Sequence, residues 1–500
     1  MGTFVCHGAA MLAMAGWLAP MLPGGGMATD AERVARIAAH PWLFRLGWMP
    51  WHLTAVSDVL VAAALLLDRR VPRGWAWLSA LLTASAVVPD QVGQLRWVTE
   101  GVRLAQSAVT SGDLGAYLAL EQSAFALTAA WAAGLYTLGA MVWGTCLAQA
   151  GYGSRTLRRL GWTLWALFAA VSVAPLLPPS VRPAPALVAL GNAVAFVGLE
   201  LWLVLGAEQV MRANRPGSTL GRWAPWRAPW RGPWGSLLEV AANSHVVHSF
   251  FGWLPAPVFA SDITDVIYVN YLVPVDRVRK LVPEGLELQV LGPGLTMVSM
   301  LTYQHGHFGP RMLGPLRRVF PSPVQTNWRL YVRDQHSGRE GITFFTNAVS
   351  TTLHALGARL MTDGAPMHRI GHSRLDREPT SGRVTLVIDP AGGTAPDLLL
   401  DLAPTDDRTL RGVWASCFAD YDAMLAYTVP QDRALATQPW RRTTSRDEIS
   451  LDIPLTSCEP LAGEVTSRAA AAVVGEAVPL CFRVAKVDFV LAQEVVDHWG

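Results

Sequence analysis

The sequence predicts a two-part chain: a multi-pass α-helical membrane domain over residues 42–212, then an α+β, mainly antiparallel β-domain over residues 261–500. Three observations predict it. Apolar runs of the length that a bilayer core of about 30 Å demands recur before residue 212. Charged residues thin out there and return to ordinary density after residue 260. Beyond Ile263 the pattern changes to short alternating runs bounded by Gly, Pro and Asp.

Composition bounds the partners. Only 16% of residues are charged, against about 25% in soluble proteins. A net charge of +2 argues neither for nor against an acidic partner; nucleic acid is not expected beside so many apolar spans. Arg far outnumbers Lys, since Lys280 and Lys486 are the lysines of the chain. That is the bias of a GC-rich, bacterial genome, and it limits any mechanism that needs an amine. The five cysteines form no CxxC pair, so they read as free thiols without metal spacing.

Residues 1–41 form an N-terminal segment. Its apolar stretch 4–22 reads as a signal peptide, as a sixth span, or as sequence upstream of a start at Met27; a signal peptide would carry a basic leading region, which is missing here. Five spans are expected: Gly47–Leu67, Gly74–Pro89, Gln122–Ala148, Leu160–Leu177 and Ala184–Leu205. Tryptophans such as Trp42, Trp75 and Trp162 mark their ends, as in an aromatic belt. The Arg-rich loops hold Arg69, Arg70 and Arg73, then Arg155, Arg158 and Arg159, then Arg212 and Arg215. By the positive-inside rule this places the C-terminal domain in the cytoplasm of a cell whose inner membrane the spans cross. Asp58, His52, Glu121 and Glu200 are the ionisable groups of the spans, with Glu121 expected at the interface and Asp58 and Glu200 bonded inside the bundle. The lipid bilayer is therefore the first expected partner.

Residues 213–260 form a linker in which Trp223, Trp226, Trp230 and Trp234 alternate with Arg and Pro. Regular proline forbids a continuous helix, and the Trp/Arg mixture suits the headgroup layer. GSLLEVAANSHVVHSFFGWL, which follows, reads as an amphipathic helix. His245 and His248 lack a third ligand and read as structural.

In the last domain ITDVIYVNYLVP, LTMVSMLTYQ, NWRLYVRD, GITFFTNAV, RVTLVIDP and CFRVAKVDFVLAQEV read as strands, with a helix at CFADYDAMLAYTV. The blocks YVNYLVPVDRVRKLVPEGLEL, TMVSMLTYQ, NWRLYVRDQHSGREGITFFTNAVS and GARLMTDGAPMHRI are similar to the uncharacterised DUF2071 family, which sits within the acetoacetate decarboxylase-like superfamily. The resemblance covers about residues 262–500. It implies a β-barrel or cone holding a small carbonyl- or carboxylate-bearing molecule. It also implies a site for a Schiff-base lysine pair, where this chain has Ala358 and Arg359, and for an acidic residue, where it has Ser299. Arginine keeps its proton at physiological pH and cannot be the amine nucleophile. Lys486, on one strand face with Asp488, reads as an ion-pair partner or as a relocated amine.

The remaining polar groups define the candidate site. Asn327, Arg329 and Tyr331 share one strand face by period-two alternation. Tyr303, His305 and His307 lie in the YQHGH segment, and His368 follows Pro366. An arginine fork suits a carboxylate or enolate oxygen, while tyrosine or histidine moves protons. Arg329, Tyr303 and His368 are the catalytic candidates; Asn327, Tyr331, Arg359, Ser299, His305 and His307 are the substrate-binding ones. Each has a purely structural alternative: Arg329 as partner of a domain carboxylate, each histidine as a core residue. No metal and no cofactor is expected. The functional readings are a membrane-anchored lyase or isomerase/cyclase without a Schiff base, or a non-catalytic ligand-binding sensor.

Overall fold

The computed structural model describes the chain apart from residues 1, 24–28, 179, 216–224, 253, 255–257, 363, 365–366, 430–432, 452 and 500, and apart from the side chains at 175, 448–451, 486 and 488–494. Two compact units emerge, Met1–Ala213 and Asn214–Gly500.

The first unit is helical: α1 (Gly2–Ala13, continued by tighter and wider turns to Met21), α2 (Asp30–Ala39), α3 (Pro41–Leu67), α4 (Arg73–Arg96), α5 (Val102–Ser111), α6 (Gly115–Phe125), α7 (Ala133–Gln149), α8 (Arg155–Val173) and α9 (Pro185–Asn214). Among the described residues four helices are long and apolar enough to cross a membrane: Gly2–Met21, Pro41–Leu67, Gly115–Gln149 and Pro185–Asn214. Three expected spans fall inside them. Gly74–Pro89 and Leu160–Leu177 also lie in helices, α4 and α8, but these fall short of that apolarity. Asp90, Gln91, Gln94 and Arg96 dilute α4, and Arg155, Arg158 and Arg159 dilute α8. The N-terminal stretch, read three ways from sequence, is a helix packed closely on α3. A Cβ at Gly47 would come within 2.6 Å of the Leu18 side chain, so glycine there permits the approach.

Glu121 is buried, and Arg33 of α2 grips both its oxygens at 2.6 and 2.8 Å while the Tyr117 hydroxyl donates from 3.2 Å. Both ions are out of water, so removing one strands the other. Glu121→Ala is expected to destabilise the unit by about 3 kcal/mol, the low end for a buried pair because Asp30 still holds Arg33 at 2.7 Å. Thermal unfolding in detergent checks this, with Glu121→Gln retaining part of the loss.

The second unit begins with α10 (Pro233–Ala242) and α11 (His245–Phe251). The expected single amphipathic helix is thus two. Asn243 ends the first, and Ser244 Oγ caps the second by accepting from Val247 N at 3.2 Å. Trp226 also departs from expectation. Far from lying at a headgroup surface, it is fully buried against Ala228 and Ala242; Arg222 and Trp223 lie outside the described residues.

The strands follow: β1 (Phe259–Pro274), β2 (Leu286–Leu288), β3 (Leu295–Gln304), β4 (Gly309–Pro310), β5 (Val324–Asp334), β6 (Glu340–Val349), β7 (His368–Arg369), β8 (His372–Arg377), β9 (Val384–Asp389), β10 (Leu398–Pro404), β11 (Arg433–Gln438), β12 (Thr443–Leu451), β13 (Cys458–Thr466) and β14 (Leu480–His498). Helices α12 (Thr352–Met361), α13 (Tyr421–Thr428) and α14 (Arg468–Val474) interrupt them. All the strands join one sheet, mostly antiparallel, with β6–β7 and β6–β11 parallel. Its order runs β4-β1-β3-β5-β6-β11-β12-β14-β13-β10-β9-β8, so it ends open at β4 and β8, although β14 also pairs back onto β1. The coarse expectation of an α+β domain with a mainly antiparallel sheet is met.

Both faces of the central strands are buried because the alternation serves two cores. Trp328, Leu330 and Val332 of β5 join Val269, Met300 and Ile370 on one side. Tyr331 joins Tyr268, Met297 and Tyr303 on the other, where Met424 and Leu425 of α13 pack over them. The tight β5–β6 connection works because Gly338 takes φ 68°, a left-handed conformation that glycine adopts without strain.

Candidate functional site

The second of these faces carries the polar groups. Antiparallel register sets Asn270 of β1 opposite Ser299 of β3, and Ser299 opposite Arg329 of β5. One row along, Asn327 stands between Leu301 and Asn347 of β6. Opposed residues project from the same sheet face, so these side chains converge.

Arg329 is 3% exposed. Its guanidinium lies 5.6 Å from the Tyr268 ring centre and 5.5 Å from that of Tyr331, within cation–π range. One terminal nitrogen donates to the Thr428 carbonyl at 2.9 Å and to Tyr331 Oη at 3.2 Å. Tyr331 Oη donates to the same carbonyl at 2.9 Å. Thr428 ends α13, where the helix dipole favours a cation. Among the described residues Arg329 has no carboxylate partner, and its Nε has no hydrogen bond. The Asn347 amide is fully buried with neither its oxygen nor its nitrogen bonded. A buried cation without a counter-ion and an unsatisfied amide on one face are both costly. Burial holds the Tyr268 phenol up at about 12, partly offset by Arg329.

Beside them runs a hydrogen-bonded chain. His305 places one ring nitrogen 2.8 Å from Ser261 Oγ and the other 2.8 Å from Gln325 Oε1. Gln325 donates to Asn327 Oδ1 at 2.8 Å, and Asn327 donates to Tyr303 Oη at 2.8 Å. Ser299 Oγ donates to Asn270 Oδ1 at 2.7 Å. Burial pushes the Tyr303 phenol above its ordinary range.

The structure therefore brings Arg329, Tyr331, Ser299, Asn327, Tyr303 and His305 to one face. It does not bring Arg359, His368 or His307 there. Arg359 lies on α12, fully buried, donating from Nε to the Ala242 carbonyl at 2.9 Å and from a terminal nitrogen to Asn243 Oδ1 at 3.1 Å. It fastens α10 rather than contacting a ligand on the Arg329 face. His368 shares its strand side with Ile370, in the opposite core, and its Nδ1 lies 2.8 Å from Thr394 Oγ1. β3 ends at Gln304, so His305 and His307 lie in a turn, where His307 takes φ 49°. Two histidines on one strand face are not what forms. The side chains of Lys486 and Asp488, and Pro366, lie outside the described residues; Lys280 is exposed. Tyr268, Asn270, Gln325, Asn347 and the Thr428 carbonyl were missed. Polar residues two apart inside apolar strands, as in Tyr268/Asn270, were the available signal.

Burial lowers both His305 and His368 to about 3 from 6.5, with the Arg359 charge adding to the second. Unfolding releases each ring into water, where it protonates below pH 6.5. Stability is thus whole above pH 6.5 and is lost as pH falls toward 3, at about 1.4 kcal/mol per pH unit for each histidine. Denaturant unfolding at pH 5 should show uptake of about two protons by these groups, and almost none at pH 7.5; His305→Gln should remove one of the two.

A mostly antiparallel α+β domain whose central strands bury a cation without a counter-ion among the described residues is the class that fold and site define. The comparisons add that residues 261–385 match the family described as DUF2071: Uncharacterized conserved protein (COG2071), as the sequence blocks implied. In fold searches, about half of this chain (49% in each case) is similar to three solved structures. One is an acetoacetate decarboxylase from Legionella pneumophila (11% identity, 89% of that chain, TM-score 0.35). The others are the enduracididine biosynthesis enzyme MppR complexed with pyruvate (16%, 91%, 0.34) and an acetoacetate decarboxylase-like enzyme from Sphingomonas wittichii RW1 (13%, 95%, 0.36). Curated proteins give no match.

Proposed function

We propose that the second unit holds a small carboxylate- or enolate-forming carbonyl compound on Arg329, and that the first unit ties it to a lipid bilayer. The carrying observation is the buried guanidinium without a carboxylate partner among the described residues. An anionic ligand supplies the missing charge, and the Asn347 amide supplies a donor or an acceptor beside it. The pairing of β14 back onto β1 supports the cone-like enclosure that such a ligand requires. Exposed Leu60, Leu81, Trp131, Leu187 and Val197 on the helical unit support the bilayer.

The chemistry this favours is enolisation, cyclisation or dehydration, with Arg329 stabilising the developing oxyanion. Schiff-base decarboxylation finds no support: Ala358 and Arg359 stand at the implied lysine positions, and Arg359 is committed to Ala242 and Asn243. The second reading, a ligand-binding sensor, is favoured by one observation. His305, held near 3, and Tyr268, held near 12, leave the proton-transfer groups of this face far from neutral pH.

The test uses the full chain in detergent, in D2O, with a panel of 2- and 3-oxo carboxylates followed by proton NMR. Exchange of the α-hydrogens above the uncatalysed rate supports the enzyme. Ligand line broadening without exchange supports the sensor. Neither, across the panel, rejects the site, and a borohydride-trapped lysine adduct rejects the chemistry. Asn347→Leu is expected to weaken binding about tenfold while stabilising the fold by about 1–2 kcal/mol, since it removes an unsatisfied buried amide.

A further inference from the structure

The helical unit encloses a cavity of about 150 Å³ that nothing above uses. Asp58 of α3, Asp90 and Gln94 of α4, and His7 of α1 line it together with the rings of Trp51, Trp143, Trp165, Phe168 and Phe196. The polar groups are incompletely bonded. Asp90 accepts from Gln91 at 3.0 Å and from Gln94 at 2.8 Å. Asp58 is 7% exposed; the His7 ring nitrogen lies 3.8 Å from its Oδ2, and among the described residues its Oδ1 has no partner. Gln94, 3% exposed, leaves Oε1 without a partner as well. Among the described residues two acceptors, on two helices, thus line one space without a donor in reach, as the Trp51 and Trp143 indole nitrogens line it without an acceptor.

We propose that this cavity binds a small alkylammonium ion. Asp58 and Asp90 offer carboxyl oxygens to a cation, and aromatic faces attract alkylated cations that cannot form hydrogen bonds on every side. A bare metal ion fits less well: among the described residues no cluster of three His, Cys, Asp or Glu side chains could hold one. Size agrees, because an apolar cavity of about 150 Å³ accepts a ring of benzene size. The proposal concerns the first unit alone and stands apart from the Arg329 site.

Equilibrium dialysis of the full chain in detergent with tetramethylammonium tests it, with tert-butanol as a neutral competitor of the same heavy-atom count. Saturable binding of the cation is expected, with tert-butanol failing to displace it. Asp58→Asn should weaken binding at least tenfold while the variant elutes as a single species like the parent. No saturable binding, or displacement by tert-butanol as readily as by the cation itself, overturns the proposal whether or not the variant folds. Equal binding by a folded Asp58→Asn chain overturns it too.

Discussion

Arg329→Met is expected to abolish binding of small carboxylates while leaving the fold as stable as before, or more so. In the parent chain the guanidinium is 3% exposed, offers one of its nitrogens to the Thr428 carbonyl and Tyr331, and has no counter-ion among the described residues. A buried charge in that state costs more than its few hydrogen bonds return. Methionine fills a similar volume, and the Thr428 carbonyl keeps its bond from Tyr331 Oη at 2.9 Å. Binding should fall at least about 100-fold, since a charge-assisted pair of hydrogen bonds contributes about 3 kcal/mol or more. Calorimetric titration and denaturant unfolding of the same preparation check both halves. Had Arg329 served only to close the end of α13, the variant would instead lose stability.

Arg359→Met should behave in the opposite way. This side chain is fully buried and bridges α12 to the Ala242 carbonyl and Asn243. Asn243 in turn accepts from Trp226 N at 2.8 Å and donates to its carbonyl at 2.9 Å. Removing the guanidinium takes the side-chain donor from the buried Ala242 carbonyl and one of two donors from Asn243 Oδ1, a loss of about 2–3 kcal/mol. Limited proteolysis should then cut near α10 at lower protease concentrations. Carboxylate affinity of the folded fraction should stay within about twofold of the parent, because the two arginines do not share a face.

Much of this was legible in the chain, and the reason is periodicity. Asn327, Arg329 and Tyr331 fall on one side of β5 because strand side chains alternate, and the alternation survives in the structure. The hairpin and the helix at Tyr421–Thr428 are local features of the same kind. What sequence could not give are partners set by the fold. Arg359 and Arg329 look alike as isolated arginines; only tertiary packing turns the first toward Ala242. His368 sits a few residues after α12, yet parallel pairing of β7 with β6 at Ala348 sends it to the opposite core. Nothing near Glu121 in the sequence names Arg33, which α2 brings to it. Asn347 is invisible in an apolar stretch unless its neighbour Asn327 is already known. Hydropathy likewise sees the carboxylate and amides of α4 only as dilution, whereas packing turns Asp90 and Gln94 toward a cavity.

The central claim is that Arg329 awaits an anion. Thermal unfolding of the full chain with a panel of small oxo carboxylates, each against its uncharged amide, tests it most directly. The account predicts that at least one acid raises the unfolding temperature in a concentration-dependent way, that its amide does not, and that Arg329→Met erases the shift. Equal shifts with acid and amide, or an undiminished shift in the variant, would contradict it.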